Sequence, residues 1–445
     1  MKRLLSVFLA ICLALPISGC SASRQAVTLL DAEGNTLAAV TKHEIPDNQL
    51  ENVKYKSYVK AAISEAAQAL SQKLNCTFDE AEKELFIQGY TIHTAFDLAA
   101  FEAINKMYQS CAIPSVGSAI VAQDGRVAAL YSTGETLCAI EKQAPYSAIK
   151  PLSVYAPAME EGIIDWSTHF VDKPYKQITA EKGNKKDWPT NPTGGYTYAK
   201  TTLIECIRQS LNTTAVFCLK SLGVKKSLEF LKNSFDTDIL FEQNKLALEG
   251  EEEIIGNVAL GYLYSGVTTA ELAGCYQIFS RGGKYIKPYT VLKITDKDGK
   301  DVYLHTPEEK QVISEETAYI MNRLLSYVTS PGGTGQAAKV EGTEVIGKTG
   351  TGTENVGNWF VGVTPEYSCS VWHGALENTG NEAAELFSQI MKNMPQPTTA
   401  EFSKPKNIRK GVYCSISGKL FSPTCSRMQI GYYVQGKKPE LCDAH

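Results

Sequence analysis

The chain has 445 residues and a formal net charge of −4, from 44 Lys and Arg against 48 Asp and Glu. Hydrophobic residues make up 43% of it and charged residues 21%, a balance that is ordinary for a globular protein and excludes a wholly disordered chain. The slightly acidic charge, without a basic tract, argues against a nucleic-acid-binding protein. The length alone predicts about two to four domains.

The N-terminus has the features of an export signal. A basic start is followed by an apolar stretch from Leu4 to Ile17, which is shorter than the about 20 residues that cross a bilayer. The stretch ends in Ile17-Ser18-Gly19-Cys20, which resembles the lipobox of bacterial lipoproteins. We therefore expect a signal peptide over residues 1–19, lipid on Cys20, and anchoring at the extracytoplasmic face of a bacterial membrane. A simple secretory signal with an incidental cysteine is the alternative.

Residues 20–110 are predicted to form a small platform and linker. Val27 to Val40 has apolar runs on both sides of a turn signal, as in a β-hairpin. Three helices are predicted to follow: from Tyr55 to Leu74, after a capping box of Thr77 and Glu80, and after Asp97, with an apolar stripe of Leu98, Phe101, Ile104 and Tyr108. These are signals of caps and of a packed core rather than of a site.

Residues 111–394 are predicted to form the main domain, and residues 395–445 a linker and a small C-terminal tail. Strands are predicted at both ends of the main domain, around a mixed helical region that extends to about Leu325: Ser118 to Ala122, Arg126 to Tyr131, Trp359 to Val363 and Ser368 to His373. Helices between two sets of strands predict an α/β (α+β) fold, in which the first and last strands close one antiparallel sheet.

Ser147 and Lys150 are the first candidates for chemistry. On a helix, side chains three residues apart share a face, so the lysine nitrogen can lie beside the hydroxyl. A serine hydroxyl becomes a good nucleophile only when a base takes its proton, and a desolvated lysine can be neutral enough to do so. The spacing alone is weak evidence, because Ser57 with Lys60 and Ser403 with Lys406 have it too. A surface helix start with a solvated lysine is the alternative.

Two further motifs follow in order. Ser210-Leu211-Asn212 comes after a predicted helix, and Lys348-Thr349-Gly350-Thr351 precedes the last strands. A helix cap and a polar edge strand are their alternative explanations. The order S-x-x-K, S-x-N and K-T-G is the set found in penicillin-binding proteins and class A β-lactamases, and its three members together are much less expected by chance than any one of them.

On these motifs the chain resembles the transpeptidase domain of penicillin-binding proteins, most closely the class A branch. The resemblance extends over residues 85–392, through the segments Tyr155 to Gly162, Trp188 to Pro192, Arg281 to Tyr285 and Trp359 to Gly362. It implies the penicillin-binding protein/β-lactamase-like serine acyltransferase fold, and an enzyme that acts on the D-Ala-D-Ala end of peptidoglycan stem peptides. It also implies inhibition by β-lactams, and no cofactor or metal.

The resemblance also implies roles for the motif residues. Ser147 would be the nucleophile and Lys150 its general base, while Ser210 would relay a proton to the leaving amine, with Lys348 beside it. Asn212 would bind the substrate backbone, and Thr349 and Thr351 would hold its terminal carboxylate. Gly350 would let the strand approach the substrate. The backbone N–H groups of Ser147 and Thr351 would form the oxyanion hole.

The chain departs from the family pattern in two respects. Tyr146 stands where the family commonly has Gly, Asn358 where it has Asp, and His373 where a smaller residue is usual, which bears on substrate fit. The segment of about 65 residues expected between the signal and the linker is too short for the glycosyltransferase domain of class A proteins. We therefore expect a monofunctional enzyme, with a separate glycosyltransferase as a candidate partner.

Two other functions fit the same motifs. A D,D-carboxypeptidase or β-lactamase would pass the same acyl-enzyme to water, and a β-lactamase would need an added carboxylate to activate that water. A non-catalytic cell-wall scaffold or β-lactam sensor is the second alternative, although the motif residues that such proteins normally lose are present.

The chain has 12 cysteines, a number that makes it relevant whether they are free thiols or disulfides. Cys206 and Cys218 flank the second motif and are predicted to be buried thiols. Cys414, Cys425 and Cys442 crowd the tail, where we expect a Cys425–Cys442 disulfide. A zinc site that includes His445 is the alternative, although the spacing matches no common zinc motif.

Overall fold

A computed structural model describes residues 26–41, 53–109, 113, 115–134, 136–179, 184–235, 251–262, 265–352, 357–374, 382–395, 401–437 and 439–443. The predicted signal peptide and Cys20 lie outside the described residues, as do residues 396–400 of the predicted linker. Within the part of the chain that the structure describes, no helix is both long enough and apolar enough to cross a membrane.

The N-terminal region contains β1 (Val27–Leu30), β2 (Thr36–Val40), α1 (Lys56–Leu74), α2 (Phe78–Gln88), β3 (Thr91–Thr94) and α3 (Leu98–Gln109). The middle of the chain contains β4 (Val116–Ala122), β5 (Val127–Ser132), α4 (Ala156–Glu160), β6 (His169–Val171), β7 (Lys176–Thr179), β8 (Lys185–Trp188), β9 (Lys200–Thr202), α5 (Leu203–Arg208), α6 (Asn212–Leu222), α7 (Val224–Ser234), α8 (Glu251–Leu260) and α9 (Thr269–Tyr276). Then follow β10 (Lys284–Ile286), β11 (Val291–Thr295), β12 (Asp301–Leu304), β13 (Glu309–Gln311), α10 (Glu315–Leu325), β14 (Ile346–Thr351), β15 (Asn358–Val363), β16 (Tyr367–His373), α11 (Glu382–Asn393), β17 (Ile408–Cys414) and β18 (Met428–Val434).

The N-terminal elements follow their sequence signals closely. The hairpin β1–β2 forms, Thr77 and Glu80 make both hydrogen bonds of the predicted capping box, and Asp97 Oδ1 accepts from the N–H of Ala100 at 3.0 Å. The predicted stripe of α3 was wrong at Leu98, which is 50% exposed. This residue begins the helix, and the first buried residue of the helix is Ala100.

The hairpin does not form a sheet of its own. It belongs to a five-stranded sheet of order β12-β11-β3-β1-β2, in which β11 and β12 come from the middle of the predicted main domain. The boundary at residue 110 stays a prediction. The structure adds that the N-terminal region and the main domain share hydrogen bonds between β3 and β11.

The second five-stranded sheet is the centre of the molecule. Its order is β14-β15-β16-β4-β5, and all its pairs are antiparallel. The last strands therefore close on the first, which confirms the predicted α/β arrangement. Side chains alternate across a strand: Trp359 and Val361 enter one hydrophobic cluster, and Phe360 between them enters a second. Both faces of the sheet are buried, and β14, with the third motif, is its edge strand.

The C-terminal tail is a two-stranded sheet of β17 and β18 that packs on the helical side of the main domain. The ring of Tyr432 lies 4.9 Å from that of the buried Trp166. The predicted Cys425–Cys442 disulfide was wrong, because both cysteines are free thiols. Cys206 and Cys218 are free and buried, as expected.

Candidate active site

Ser147 lies in a short 3₁₀ turn, Tyr146–Ile149. The segment that carries Ser147 therefore does not begin as an α-helix. The cause is Pro151, which has no N–H to offer to the Ser147 carbonyl four residues earlier. The N–H of Lys150 donates to that carbonyl instead, which tightens the turn. A π-helical turn, Pro151–Tyr155, and α4 then continue the segment into the core.

Tyr146, at the first position of this turn, has a φ of 47°. A left-handed conformation costs a residue with a Cβ about 1–2 kcal/mol, which explains why glycine suits this position better. The turn is held by α8, because the Tyr146 N–H donates to the Gly261 carbonyl at 3.1 Å. A Cβ on Gly261 would lie 2.1 Å from the Tyr146 oxygen, so that residue has to be glycine.

Lys150 is fully buried and its nitrogen is held from the second motif. Nζ donates to the Ser210 carbonyl at 2.8 Å and to Asn212 Oδ1 at 2.6 Å, with Ser210 Oγ at 3.5 Å. Desolvation, and next the positive charge of Lys348, lower the pKa of Lys150 well below its usual value. Neither buried lysine forms an ion pair with a described carboxylate. The neutral amine is thereby favoured, as a base requires.

Ser210 follows the end of α5 in a left-handed conformation, with a φ of 56°. Helices commonly end with such a residue, usually glycine. Ser210 is 4% exposed, and its hydroxyl accepts from Lys348 Nζ at 2.7 Å. The strained backbone thus places a hydroxyl between two lysines. Asn212 begins α6, and its Nδ2 donates to the Thr190 carbonyl at 2.6 Å, so its amide is engaged on both sides.

The third motif lies on the edge strand β14. Burial lowers the pKa of Lys348 to about 7. Thr349 Oγ1 donates to the hydroxyl of Thr334 at 2.9 Å, while Thr351 is exposed. A Cβ on Gly350 would lie 2.5 Å from the Pro145 carbonyl and 3.2 Å from the Ala148 nitrogen. The close approach that requires glycine is therefore the one between the strand and the Ser147 turn.

One cavity of about 380 Å³ collects these groups. Among its lining residues are Ser147, Ser210, Asn212, Thr349 and Thr351. Lys150 and Lys348 are buried and reach it through Ser210. The described lining contains hydroxyl and amide groups but no Cys, His, Asp or Glu, the side chains that usually bind metals. The arrangement can bind an anionic ligand end and activate a hydroxyl.

Asp172 and Asn191 position the second motif, and the sequence analysis did not find their role. Asn191 Oδ1 accepts from the N–H of Asn212 at 2.9 Å, and its Nδ2 donates to Asp172 Oδ1 at 2.7 Å. Asp172 also accepts from the hydroxyl of Thr213 and from the N–H of Thr197. Burial raises the pKa of Asp172, but these hydrogen bonds outweigh it and lower the pKa overall. The segment around Asn191 carried the only sequence signal.

We expect Asp172→Asn to destabilise the protein by about 1–3 kcal/mol. The amide replaces one acceptor by a donor that meets the N–H of Thr197 or the amide of Asn191, so a buried group loses its partner. Urea unfolding measures the change. Asp298→Asn, at an exposed turn, is the matched control and should stay within about 0.5 kcal/mol. Equal stability of both variants would contradict the positioning role.

We expect the stability contributed by Lys348 to rise with pH. The unfolded chain keeps the lysine proton up to about its usual pKa of 10.5, while the folded chain releases it near 7. Between these values the unfolded state binds more protons, so raising the pH favours the folded state by at most about 1.4 kcal/mol per unit. The free energy of unfolding of wild type minus that of Lys348→Met should therefore increase from pH 7 to 9.5. The exposed Lys297→Met is the control, and a flat difference would contradict the shift.

Comparison with known proteins identifies the region that carries these motifs. Residues 117–392 match the family model described as penicillin binding protein transpeptidase domain. A penicillin-binding protein 1A from Clostridium tetani is 29% identical over 324 residues, which cover 68% of this chain and 40% of that protein. Penicillin-binding protein 1F from Bacillus subtilis is 29% identical over 422 residues, covering 88% and 53%. The chain thus spans about half or less of the length of these relatives.

The fold is similar to that of a solved transpeptidase domain. A crystal structure of the D,D-transpeptidase domain of a peptidoglycan glycosyltransferase from Eggerthella lenta superposes with a TM-score of 0.62 at 18% identity, covering 84% of this chain and 98% of that domain. This confirms the expected penicillin-binding protein/β-lactamase-like fold.

Proposed function

The chain belongs to the penicillin-binding protein transpeptidase family, and from this premise we propose that it is a peptidoglycan D,D-transpeptidase that works through an acyl-enzyme on Ser147. The observation that carries the proposal is the state of Lys150. A neutral amine has two hydrogens, and two short acceptors take them, the Ser210 carbonyl and Asn212 Oδ1. The nitrogen lone pair is then left to accept a proton from the serine on the same turn.

In the acylation step, Ser147 Oγ attacks the carbonyl carbon of the penultimate D-Ala while its proton passes to Lys150. The oxyanion is held by the N–H groups of Ser147 and Thr351, each donor contributing about 3–4 kcal/mol in comparable enzymes. The C–N bond then breaks, and the D-Ala amine takes a proton from Ser210. Because Ser210 Oγ accepts from Lys348, its own hydrogen is free for this donation, and Lys348 or Lys150 replaces it.

The other motif residues bind substrate in this proposal. Thr351 offers its hydroxyl to the terminal carboxylate, and Thr349 does so by turning its hydroxyl away from Thr334, next to the cationic form of Lys348. The cavity holds no described carboxylate that would repel that group. Asn212 lines the same cavity and binds the substrate backbone through the second hydrogen of Nδ2, because the first is donated to the Thr190 carbonyl. An acceptor amine finally attacks the acyl-enzyme, forms the cross-link and frees Ser147. β-Lactams acylate the same oxygen.

The setting of the reaction follows from the N-terminal sequence. Ile17 to Cys20 supports lipidation of Cys20 and anchoring at the extracytoplasmic face of the membrane, where stem peptides are found. A separate glycosyltransferase would supply the glycan strands. No cofactor enters the mechanism.

The reaction is tested by incubating the purified chain with a D-Ala-D-Ala stem peptide and an acceptor amine. We expect release of D-Ala together with a cross-linked product. Release of D-Ala without cross-linked product would indicate a carboxypeptidase, and rapid turnover of penicillin would indicate a β-lactamase. A chain that neither releases D-Ala nor forms a penicillin adduct would be a non-catalytic scaffold.

A further inference from the structure

Three cysteines from separate segments meet in the C-terminal tail. Cys414 is the last residue of β17, Cys425 lies in the loop before β18, and Cys442 lies eight residues after β18 ends. Their sulfur atoms all lie within 4.8 Å of one another. Cys414 and Cys442 are buried and Cys425 is partly buried. We call these three residues the tail cysteine cluster.

Backbone hydrogen bonds fix the segments that carry Cys414 and Cys442. The N–H of Cys414 donates to the Lys419 carbonyl at 2.8 Å, and the N–H of Cys442 donates to the Leu420 carbonyl at 2.8 Å. Leu420 in turn donates to the Glu440 carbonyl at 2.8 Å. The strand end, the following turn and the chain after β18 are therefore held in register, so the backbone brings Cys414 and Cys442 together.

The spacing fits a metal better than a disulfide. Zinc bonds thiolate sulfur at about 2.3 Å in a tetrahedron, which puts two sulfurs about 3.8 Å apart, so the cluster needs a contraction of at most about 1 Å. A disulfide needs two sulfurs about 2 Å apart, and the third cysteine would remain an unpaired thiol. Convergence of three thiols that form no disulfide is typical of a structural zinc site.

Donors are already aimed at the sulfur atoms. The hydroxyl of Ser417 donates to Cys442 Sγ at 3.2 Å, and the N–H of Ser422 donates to Cys425 Sγ at 3.3 Å. Such hydrogen bonds from outside the ligand set orient thiolates and stabilise their charge. This observation is independent of the sulfur spacing and points to the same ligand chemistry.

We propose that the tail cysteine cluster binds one zinc ion through the three sulfurs, as a structural site. Each thiol loses its proton to solvent on binding, and the fourth position is taken by water or by a further side chain. His445, which the sequence suggested as a ligand, lies outside the described residues and is not part of the proposed site. The proposal does not depend on acyl transfer, because the cluster is separate from the Ser147 cavity.

The proposed zinc site is connected to the segment before the second motif through a series of hydrogen bonds. The Ser415 carbonyl, next to Cys414, lies 2.8 Å from His169 Nε2, and His169 pairs with Thr202. Thr202 caps α5 by accepting from the N–H of Glu205, and α5 leads to Ser210. A tail held by the ion therefore supports the strand pair β6–β9 and the start of α5, and α5 leads to the second motif.

The test uses the full chain purified under reducing conditions, with zinc measured by mass spectrometry of the element and with cobalt(II) as the spectroscopic probe. We expect about one zinc per chain, and thiolate-to-cobalt charge-transfer bands with strong tetrahedral absorption. Cys425→Ser and Cys442→Ser should each weaken metal affinity by more than about 100-fold, beyond the loss typical of a residue that only hydrogen-bonds to a ligand. Cys76→Ser, a free cysteine outside the tail, is the matched control and should bind normally.

Three results would overturn the proposal. One is a fully reduced wild-type chain that takes up no cobalt. Another is a disulfide within the cluster when thiols are alkylated before purification without reductant. The third is an unchanged cobalt spectrum in Cys425→Ser.

Discussion

Ser147→Ala should give a folded chain that forms no covalent adduct with a fluorescent penicillin. The substitution removes the only oxygen that the proposed mechanism acylates. Loss of a nucleophile of this kind costs on the order of 10⁶ in rate in a serine protease. Because Ser147 is only partly buried, we expect little change in the melting temperature. Gel fluorescence and intact-protein mass spectrometry measure the adduct.

The chain supplies its own matched control for this experiment. Ser403 has the same spacing to Lys406 as Ser147 has to Lys150, but both residues are exposed. Ser403→Ala should label like the wild type. Labelling of Ser147→Ala at the wild-type rate would show that another residue is acylated and would refute the assignment of the nucleophile.

Lys150→Met should slow acylation by about 10²–10⁴-fold, the range that a general base contributes. The methionine fills the buried space of the lysine without a basic nitrogen. Lys150→Arg tests the proton transfer separately, because a guanidinium keeps the charge and cannot be deprotonated. We expect both variants to be slow. Stopped-flow acylation by a chromogenic β-lactam measures the rate, and the exposed Lys406→Met is the control.

The pH dependence of wild-type acylation gives the same prediction a second readout. The rate should rise with pH and level off once Lys150 is neutral, with a midpoint well below 10.5, because burial and then Lys348 lower its pKa. Lys348→Met removes the neighbouring charge and should move the midpoint to higher pH. Fast acylation by Lys150→Arg, or a midpoint near 10.5, would contradict the role of Lys150 as base.

Local elements of the fold were predictable because their signals are local. The Thr77 capping box and the start of α3 at Asp97 each depend on side chains within four residues of one another. The central sheet was predictable from the position of its strands at the two ends of one region. The sharing of β11 and β12 with the N-terminal sheet was not, since edge pairing between distant strands leaves no signal in either segment.

The candidate site was also predictable only in part. The order of the three motifs by itself named Ser147, Lys150, Ser210, Asn212 and Lys348 as the groups to examine. The role of Asp172 could not be predicted from the sequence, because an aspartate positions other residues only through the hydrogen-bond partners that folding brings to it. The reason for Gly350 also changed, from an approach to substrate to an approach to the Pro145 carbonyl.

The amino-acid sequence by itself determined which residue types are present, in which order, and which short segments are helix, strand or turn. Only the tertiary structure decided the state of those residues. It buried Lys150 and Lys348, which lowers both pKa values, and the charge of Lys348 lowers the pKa of Lys150 further. It also brought Cys414, Cys425 and Cys442 together as three thiols. Desolvation and proximity arise from packing between distant segments, and for that reason charge state and ligand geometry are properties of the folded chain.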